Sequence, residues 1–331
     1  MIDKLILGNS IDILKTFEDD YVHAIISDIP YGICYSEWDI LHSNTNSALG
    51  GVSVAQTKGG SLFKRRSKPL NGWSSADKQI PNEYQQWCAT WASDWLRVIK
   101  PGGSCFIFGG RRYAHRCITA LEDAGFTFKD MLAWEKSMVP HRAQRVSEIF
   151  KRRGDNENAE KWFGWRVANL RPAFEPILWF QKPYKTGGTL VDNILEHNVG
   201  AWNEIALTNQ TCNYGSEHYP ELLFSNIIRI SADNSDRGSH ETQKPLKLME
   251  CLVSLVTLEN SIVLDPFMGS GTTCVAAKKL GRHYIGIEIN EKYFDIARER
   301  LSESPIQSYA TKDKHSQFCN RSLFDIQESG N

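Results

Sequence analysis

The sequence predicts an α/β protein built on a mostly parallel sheet, with a differently organised region inserted into it. Three observations predict this. Short apolar runs of strand length alternate with stretches whose apolar residues recur at helical spacing. Two of these runs stop at loops, Asp28-Ile29-Pro30-Tyr31-Gly32 and Asp265-Pro266-Phe267-Met268-Gly269-Ser270-Gly271, as buried parallel strands do where ligands bind. From about Glu135 to Phe224 the alternation breaks, and it returns after Asn226.

Lys4-Leu5-Ile6-Leu7 reads as the first strand, and Gly8-Asn9-Ser10 turns into a helix with Ser10 expected as its N-cap. His23-Ala24-Ile25-Ile26-Ser27 is a compact apolar run and the second strand. A Gly/Ser-rich stretch from about Ser43 to Asn82, carrying Lys58, Lys64, Arg65, Arg66 and Lys68, is expected to be a mobile basic loop. Trp87, Trp91, Trp95 and Leu96 then lie at helical spacing. Lys100-Pro101-Gly102-Gly103 leads to the strand Ser104–Phe108, and a helix from Arg112 to Ala124 closes at Gly125, a C-cap. Phe128 to Trp134 is a strand. After the insertion come a helix through Leu246–Val253, a strand at Ser261–Leu264, and a helix from the threonines to Leu280, closed by Gly281. The strand His283–Ile289 follows, and the chain ends in a polar, peripheral tail.

The 331 residues are 41% hydrophobic and 23% charged, ordinary for a chain that buries a core. The net charge of -1 excludes a polybasic binder but leaves room for a local basic groove. No signal peptide fits the start, and no run approaches the roughly 18 apolar residues of a membrane helix. The expectation is therefore a cytoplasmic protein with no membrane partner. Eight cysteines occur without a C-x-x-C pair, and His115 and His141 lack partners at metal spacing. Neither a disulfide framework nor a metal site is expected. Trp162, Trp165 and Trp179 are expected in the core.

Two loops carry chemistry. In Gly269-Ser270-Gly271 a strand meets a helix, and glycine permits a sharp turn and close approach of a ligand to the backbone. The next strand ends in Glu288, placed to accept from ribose hydroxyls. On these residues alone, an ordinary strand–turn–helix with a surface Glu stays open. In the first loop, Asp28 and the Ile29 carbonyl are acceptors for the two hydrogens of a base amino group, and Tyr31 is a ring on which an extruded base stacks. An Asp that only caps a loop stays open there too.

Asp265-Pro266-Phe267-Met268-Gly269-Ser270-Gly271-Thr272-Thr273 resembles the S-adenosylmethionine loop of DNA amino-methyltransferases, and His240-Glu241-Thr242-Gln243-Lys244-Pro245 resembles the segment that precedes it. The resemblance implies a Rossmann-like methyltransferase fold with S-adenosyl-L-methionine as cofactor. It implies that Phe267 and the Gly269 and Gly271 backbone line that cofactor, with Asp265 and Thr272 near its amino-acid part. Lys244 would pair with the cofactor carboxylate and Glu288 would hold the ribose. Asp28, Ile29, Pro30 and Tyr31 match the catalytic motif, whose usual second residue is proline; Ile29 keeps the carbonyl acceptor.

Motif order resembles the permuted beta group. It implies a catalytic half at 1–136, a target-recognition region at 137–225, a cofactor half at 226–301 and a peripheral tail at 302–331. Residues 136–185 hold eleven Lys and Arg against five acids. Lys64, Arg65 and Arg66, with Arg142, Arg145, Arg152 and Arg153, are the expected phosphate contacts of a double-stranded DNA partner. Lys68-Pro69-Leu70-Asn71-Gly72-Trp73, His141–Arg145 and Gly164-Trp165-Arg166 resemble phage-borne adenine methyltransferases, which implies loose sequence context. The implied activity is methylation of the adenine N6 amino group, since Asp at position 28 favours adenine. Methylation of cytosine N4 and a non-catalytic DNA-binding relative stay open, as do a homodimer and a cognate restriction enzyme.

Overall fold

The computed structural model describes residues 2–32, 41, 75–136, 143–167, 170–185, 187–211, 225–230 and 243–304. Its strands are Lys4–Leu7 (β1), Val22–Asp28 (β2), Ile99–Phe108 (β3), Thr127–Glu135 (β4), Gln144–Arg145 (β5), Arg166–Val167 (β6), Phe174–Gln181 (β7), Ile227–Ile228 (β8), Ile262–Asp265 (β9) and His283–Glu288 (β10). Its α-helices are Ser10–Ile13 (α1), Ser75–Val98 (α2), Ala114–Ala124 (α3), Val146–Arg152 (α4), Asn156–Lys161 (α5), Leu190–His197 (α6), Glu204–Thr211 (α7), Leu246–Val256 (α8), Thr272–Lys279 (α9) and Glu291–Glu303 (α10).

Eight strands form one sheet in the order β1-β10-β9-β2-β3-β7-β4-β8. Among the described residues only β7 runs antiparallel, to both β3 and β4. The central strands read as continuous apolar runs because both faces are covered. Ile25, Cys105, Ile107 and Leu264 point to one side, where they pack with Trp91 and Trp95 of α2 and Cys117 of α3. Ala24, Ile26, Phe106, Phe108 and Val263 point to the other, against Leu248, Leu252 and Ala276 of α8 and α9.

Several expectations change. Asn9, not Ser10, caps α1: its side chain accepts from the Ile11 N–H at 3.1 Å, and Ser10 is the first helical residue. The 43–82 stretch is not a loop throughout, because α2 begins at Ser75 and takes in Pro81. A proline inside a helix costs about 3 kcal/mol. Ile80, Tyr84, Cys88, Trp91 and Trp95 outweigh it: all five are buried on one stripe of α2, at about 1.5–3 kcal/mol for each large side chain. Lys100 to Gly103 lie within β3, where the register against β2 shifts between Val22/Ile99 and Ala24/Ser104. The residues 137–225, expected as one recognition region, are divided by β7, which lies inside the main sheet. Among the described residues no helix is long and apolar enough to cross a membrane. The cysteines at 88, 105, 117, 251 and 274 are free and buried.

Candidate active site

Three neighbouring parallel strands, β10, β9 and β2, each end in a carboxylate: Glu288, Asp265 and Asp28. Parallel strands present their carboxyl ends along one edge, so these three groups converge on it. They line a cavity of about 770 Å³, together with Asn9, Ile29, Pro30, Tyr31, Phe267 and Gly269. The two sequence loops, far apart in the chain, therefore share one cavity.

On the β9–β10 side, Glu288 accepts backbone N–H groups, among them Gly269 at 2.9 Å on one oxygen and Asn290 at 2.8 Å on the other. Burial raises this carboxyl. Asp265 accepts from the Ser27 hydroxyl at 2.7 Å and the Phe267 N–H at 3.2 Å, and burial pushes it up to about 7. Gly269 has φ of +53°, and a Cβ there would meet nothing within 4 Å. Gly271 differs. Its φ is +77° and a Cβ would sit 2.8 Å from that of Ala297 on α10, so helix packing accounts for its being glycine. Thr272 is buried, with Oγ1 accepting from Arg300 at 3.0 Å. Phe267 lies 5.8 Å from Trp87 and 6.0 Å from Trp95, ring to ring.

On the β2 side, Asp28 is held at both oxygens. Lys244 donates to Oδ2 at 2.5 Å, and the Tyr31 hydroxyl, whose one proton is shared between Asp28 and Glu175, stands 2.9 Å from Oδ1. Lys244, expected to pair with the cofactor carboxylate, stands against the Asp28 loop, on a carboxylate of the protein. Two residues that sequence reasoning missed complete the cluster. Glu175 accepts from Tyr31 and lies 3.3 Å from Lys244, and Lys136 pairs with its other oxygen. Antiparallel β7 delivers Glu175 from its start, opposite Trp134 of β4, to the edge where β4 ends at Glu135 before Lys136. Burial raises the Asp28 carboxyl against the pull of Lys244. Burial would also raise Glu175, but Lys244 and Lys136 bring it down to about 2. Tyr31 is held well above its usual range by burial and the two carboxylates.

Arg145, Arg152 and Arg153 are exposed, on β5, α4 and its cap. Trp179 is half-buried and donates to Ser104 at 3.1 Å. Trp162 and Trp165, expected in the core, are instead 36% and 61% exposed, beside Phe163 at 79%. The β5–β6 pair and the two short helices between them have too little apolar area to bury every ring. Lys64, Arg65, Arg66 and Arg142 lie outside the described residues, as do 302–331 after Ser304 and the segments 68–73 and 141–142.

The profile of the DNA methylase family matches residues 22–299. The chain belongs to the DNA methylase family. Members of this family take their methyl group from S-adenosyl-L-methionine. The chain is 58% identical to Type II methyltransferase M.HindIII of Haemophilus influenzae, over 95% of this chain and all of that protein. It is 26% identical to Type II methyltransferase M.HinfI of Haemophilus influenzae, over 91% of this chain and 69% of that one. Among solved structures it is similar to PvuII DNA methyltransferase (cytosine-N4-specific), with a TM-score of 0.57 at 16% identity over 93% of this chain and 89% of that one. It is also similar to a putative DNA modification methylase of Thermus thermophilus, complexed with S-adenosyl-L-methionine, with a TM-score of 0.52 at 18% identity over 91% and 93%. These two likenesses establish the Rossmann-like methyltransferase fold.

The cavity fits that cofactor. Glu288 keeps lone pairs beyond those used by Gly269 and Asn290, and Gly269 leaves open space where a side chain would stand.

Proposed function

We propose that this DNA methylase is a type II methyltransferase that methylates the N6 amino group of adenine in double-stranded DNA. The observation that carries the reading is the convergence of Asp28 and Glu288 on one cavity, acceptor loop on one side and glycine loop on the other. S-adenosyl-L-methionine supplies, when bound, an electrophilic methyl group. Glu288 would hold its ribose, and Phe267, Gly269 and Asp265 would line it.

An adenine amino group is a poor nucleophile, because its lone pair is delocalised into the ring. Asp28 and the Ile29 carbonyl accept its two N–H groups and stabilise the positive charge that grows on nitrogen. Tyr31 is fixed by its hydroxyl, so its ring offers a set plane for a flipped base. Buried Ile29 and the apolar rings of Phe267 and Trp87 line the same cavity and lower the local polarity, which strengthens each electrostatic contact. The aspartate at position 28 supports adenine over cytosine. Exposed Arg145, Arg152 and Arg153 supply phosphate contacts, and the type II name of the 58% identical relative supports a cognate restriction enzyme as partner.

Transfer of a labelled methyl group to duplex DNA, followed by digestion to nucleosides, tests the reading. N6-methyladenine is the expected product. N4-methylcytosine would overturn the base assignment, and no transfer to any DNA would overturn the activity.

A further inference from the structure

Glu175 belongs to neither loop, yet it is only 9% exposed and sits within the catalytic cluster. It arrives on β7, which runs antiparallel to both its neighbours, and meets Tyr31, Lys244 and Lys136 there. Lys244 Nζ stands between two carboxylates, 2.5 Å from Asp28 and 3.3 Å from Glu175. We propose that Glu175 is a positioning residue for methyl transfer, which draws the Lys244 ammonium off Asp28 when the target amino group arrives. The proposal rests on the methyltransferase reading above.

The argument is one of charge. Lys244 holds Asp28 Oδ2 in this structure, so an entering amino group competes with it there. During transfer the base nitrogen forms the N–C bond as the S–C electron pair returns to sulfur. Positive charge passes to that nitrogen, and one of its protons is then taken up by Asp28. An ammonium held on the same carboxylate opposes both events. Glu175 offers that ammonium a second anion within a short displacement, and Lys136 on its far oxygen keeps Glu175 ionised. Without Glu175, Lys244 would keep Asp28 as its one carboxylate, with the uncharged Tyr31 hydroxyl at 3.2 Å and the Tyr31 and Phe108 rings 5.5 and 5.0 Å away. A buried ammonium does not leave its only carboxylate readily.

Glu175→Gln keeps the shape and an acceptor for Tyr31 while removing the charge. Single-turnover methyl transfer on duplex DNA should fall by about tenfold or more, with calorimetric S-adenosyl-L-methionine binding unchanged. The pH profile supplies a readout that a structural role would not move. The charged and titratable groups facing Asp28 are Lys244, Glu175, Tyr31 and Asp265. Glu175 raises the Asp28 carboxyl, so removing its charge should shift the acid limb of the rate to lower pH. Glu175→Asp should return that limb toward its original position. Where Lys244 is already methionine, adding Glu175→Gln should cost no further rate. If the wild type methylates DNA and Glu175→Gln matches it in rate and acid limb, the proposal is overturned. A rate loss that follows lowered thermal stability with the limb unmoved also overturns it, as does a further loss in the double variant. A wild type that methylates no DNA overturns the underlying activity instead.

Discussion

Gly271→Ala and Gly269→Ala should separate two reasons for glycine in one loop. At Gly271 an alanine must hold φ near +77° and place its Cβ 2.8 Å from the Ala297 Cβ and 3.3 Å from its Cα. The left-handed conformation costs about 1–2 kcal/mol for a residue with a Cβ. The obstacle is the backbone side of α10, so the helix must shift, at about 1–3 kcal/mol for overpacking. The expected loss of stability is therefore about 2–5 kcal/mol. Gly269→Ala carries only the conformational part, about 1–2 kcal/mol, because its Cβ would enter open space in the wall of the cavity. Urea unfolding, read from the midpoint at constant slope, measures both losses. Calorimetry with S-adenosyl-L-methionine should then show the reverse order: affinity falls about tenfold or more for Gly269→Ala and stays within about threefold for Gly271→Ala. A Gly271→Ala variant as stable as wild type but unable to bind the cofactor would refute this division. Its glycine would then serve ligand approach, as the sequence alone had implied.

Three further outcomes follow from the same geometry. Asp28→Ala removes the acceptor of the amino group, so single-turnover methylation should fall by about 10²–10⁴-fold while calorimetric cofactor binding persists; near-normal rates would remove Asp28 from the chemistry. Asp265 keeps its proton up to about pH 7 in the folded state, against 3.8 ordinarily, so its contribution to stability is whole below about pH 4 and is lost as pH rises to about 7. Asp265→Asn should remove that loss, and its urea midpoint relative to wild type should be higher at pH 8 than at pH 5; an equal difference at both would count against a raised carboxyl. Neutralising exposed Arg152 and Arg153 together should weaken binding to all duplex sequences alike and flatten the log–log salt dependence by up to about two units. A loss confined to one sequence would make them base readers.

Much of the site was legible because its residues are local to strand ends. Asp28 and Asp265 each follow an apolar run directly, and a buried parallel strand can only end at an edge, so the loops after them had to be candidates. The closing glycines were equally local: Gly125 caps α3 with φ of +108° and Gly281 follows α9 with φ of +71°. What escaped depends on neighbours that no short window contains. Pro81 reads as a helix breaker until Trp91 and Trp95 are seen to bury the stripe it belongs to. Trp162 and Trp165 read as core until the small unit that carries them is seen to have too little core to receive them. Glu175 is the most consequential case. In sequence it is one acid ahead of Pro176-Ile177-Leu178 within a basic stretch, and nothing there distinguishes it from a solvated charge. Its role depends on β7 entering the sheet backwards between β3 and β4, which brings the start of one strand beside the end of another. Lys244 is the opposite case: it lies in a segment the sequence reading had singled out, and the fold sets its ammonium 2.5 Å from Asp28. The charge around Asp28 thus has two sources, a lysine from a motif and an acid delivered by pairing across the sheet.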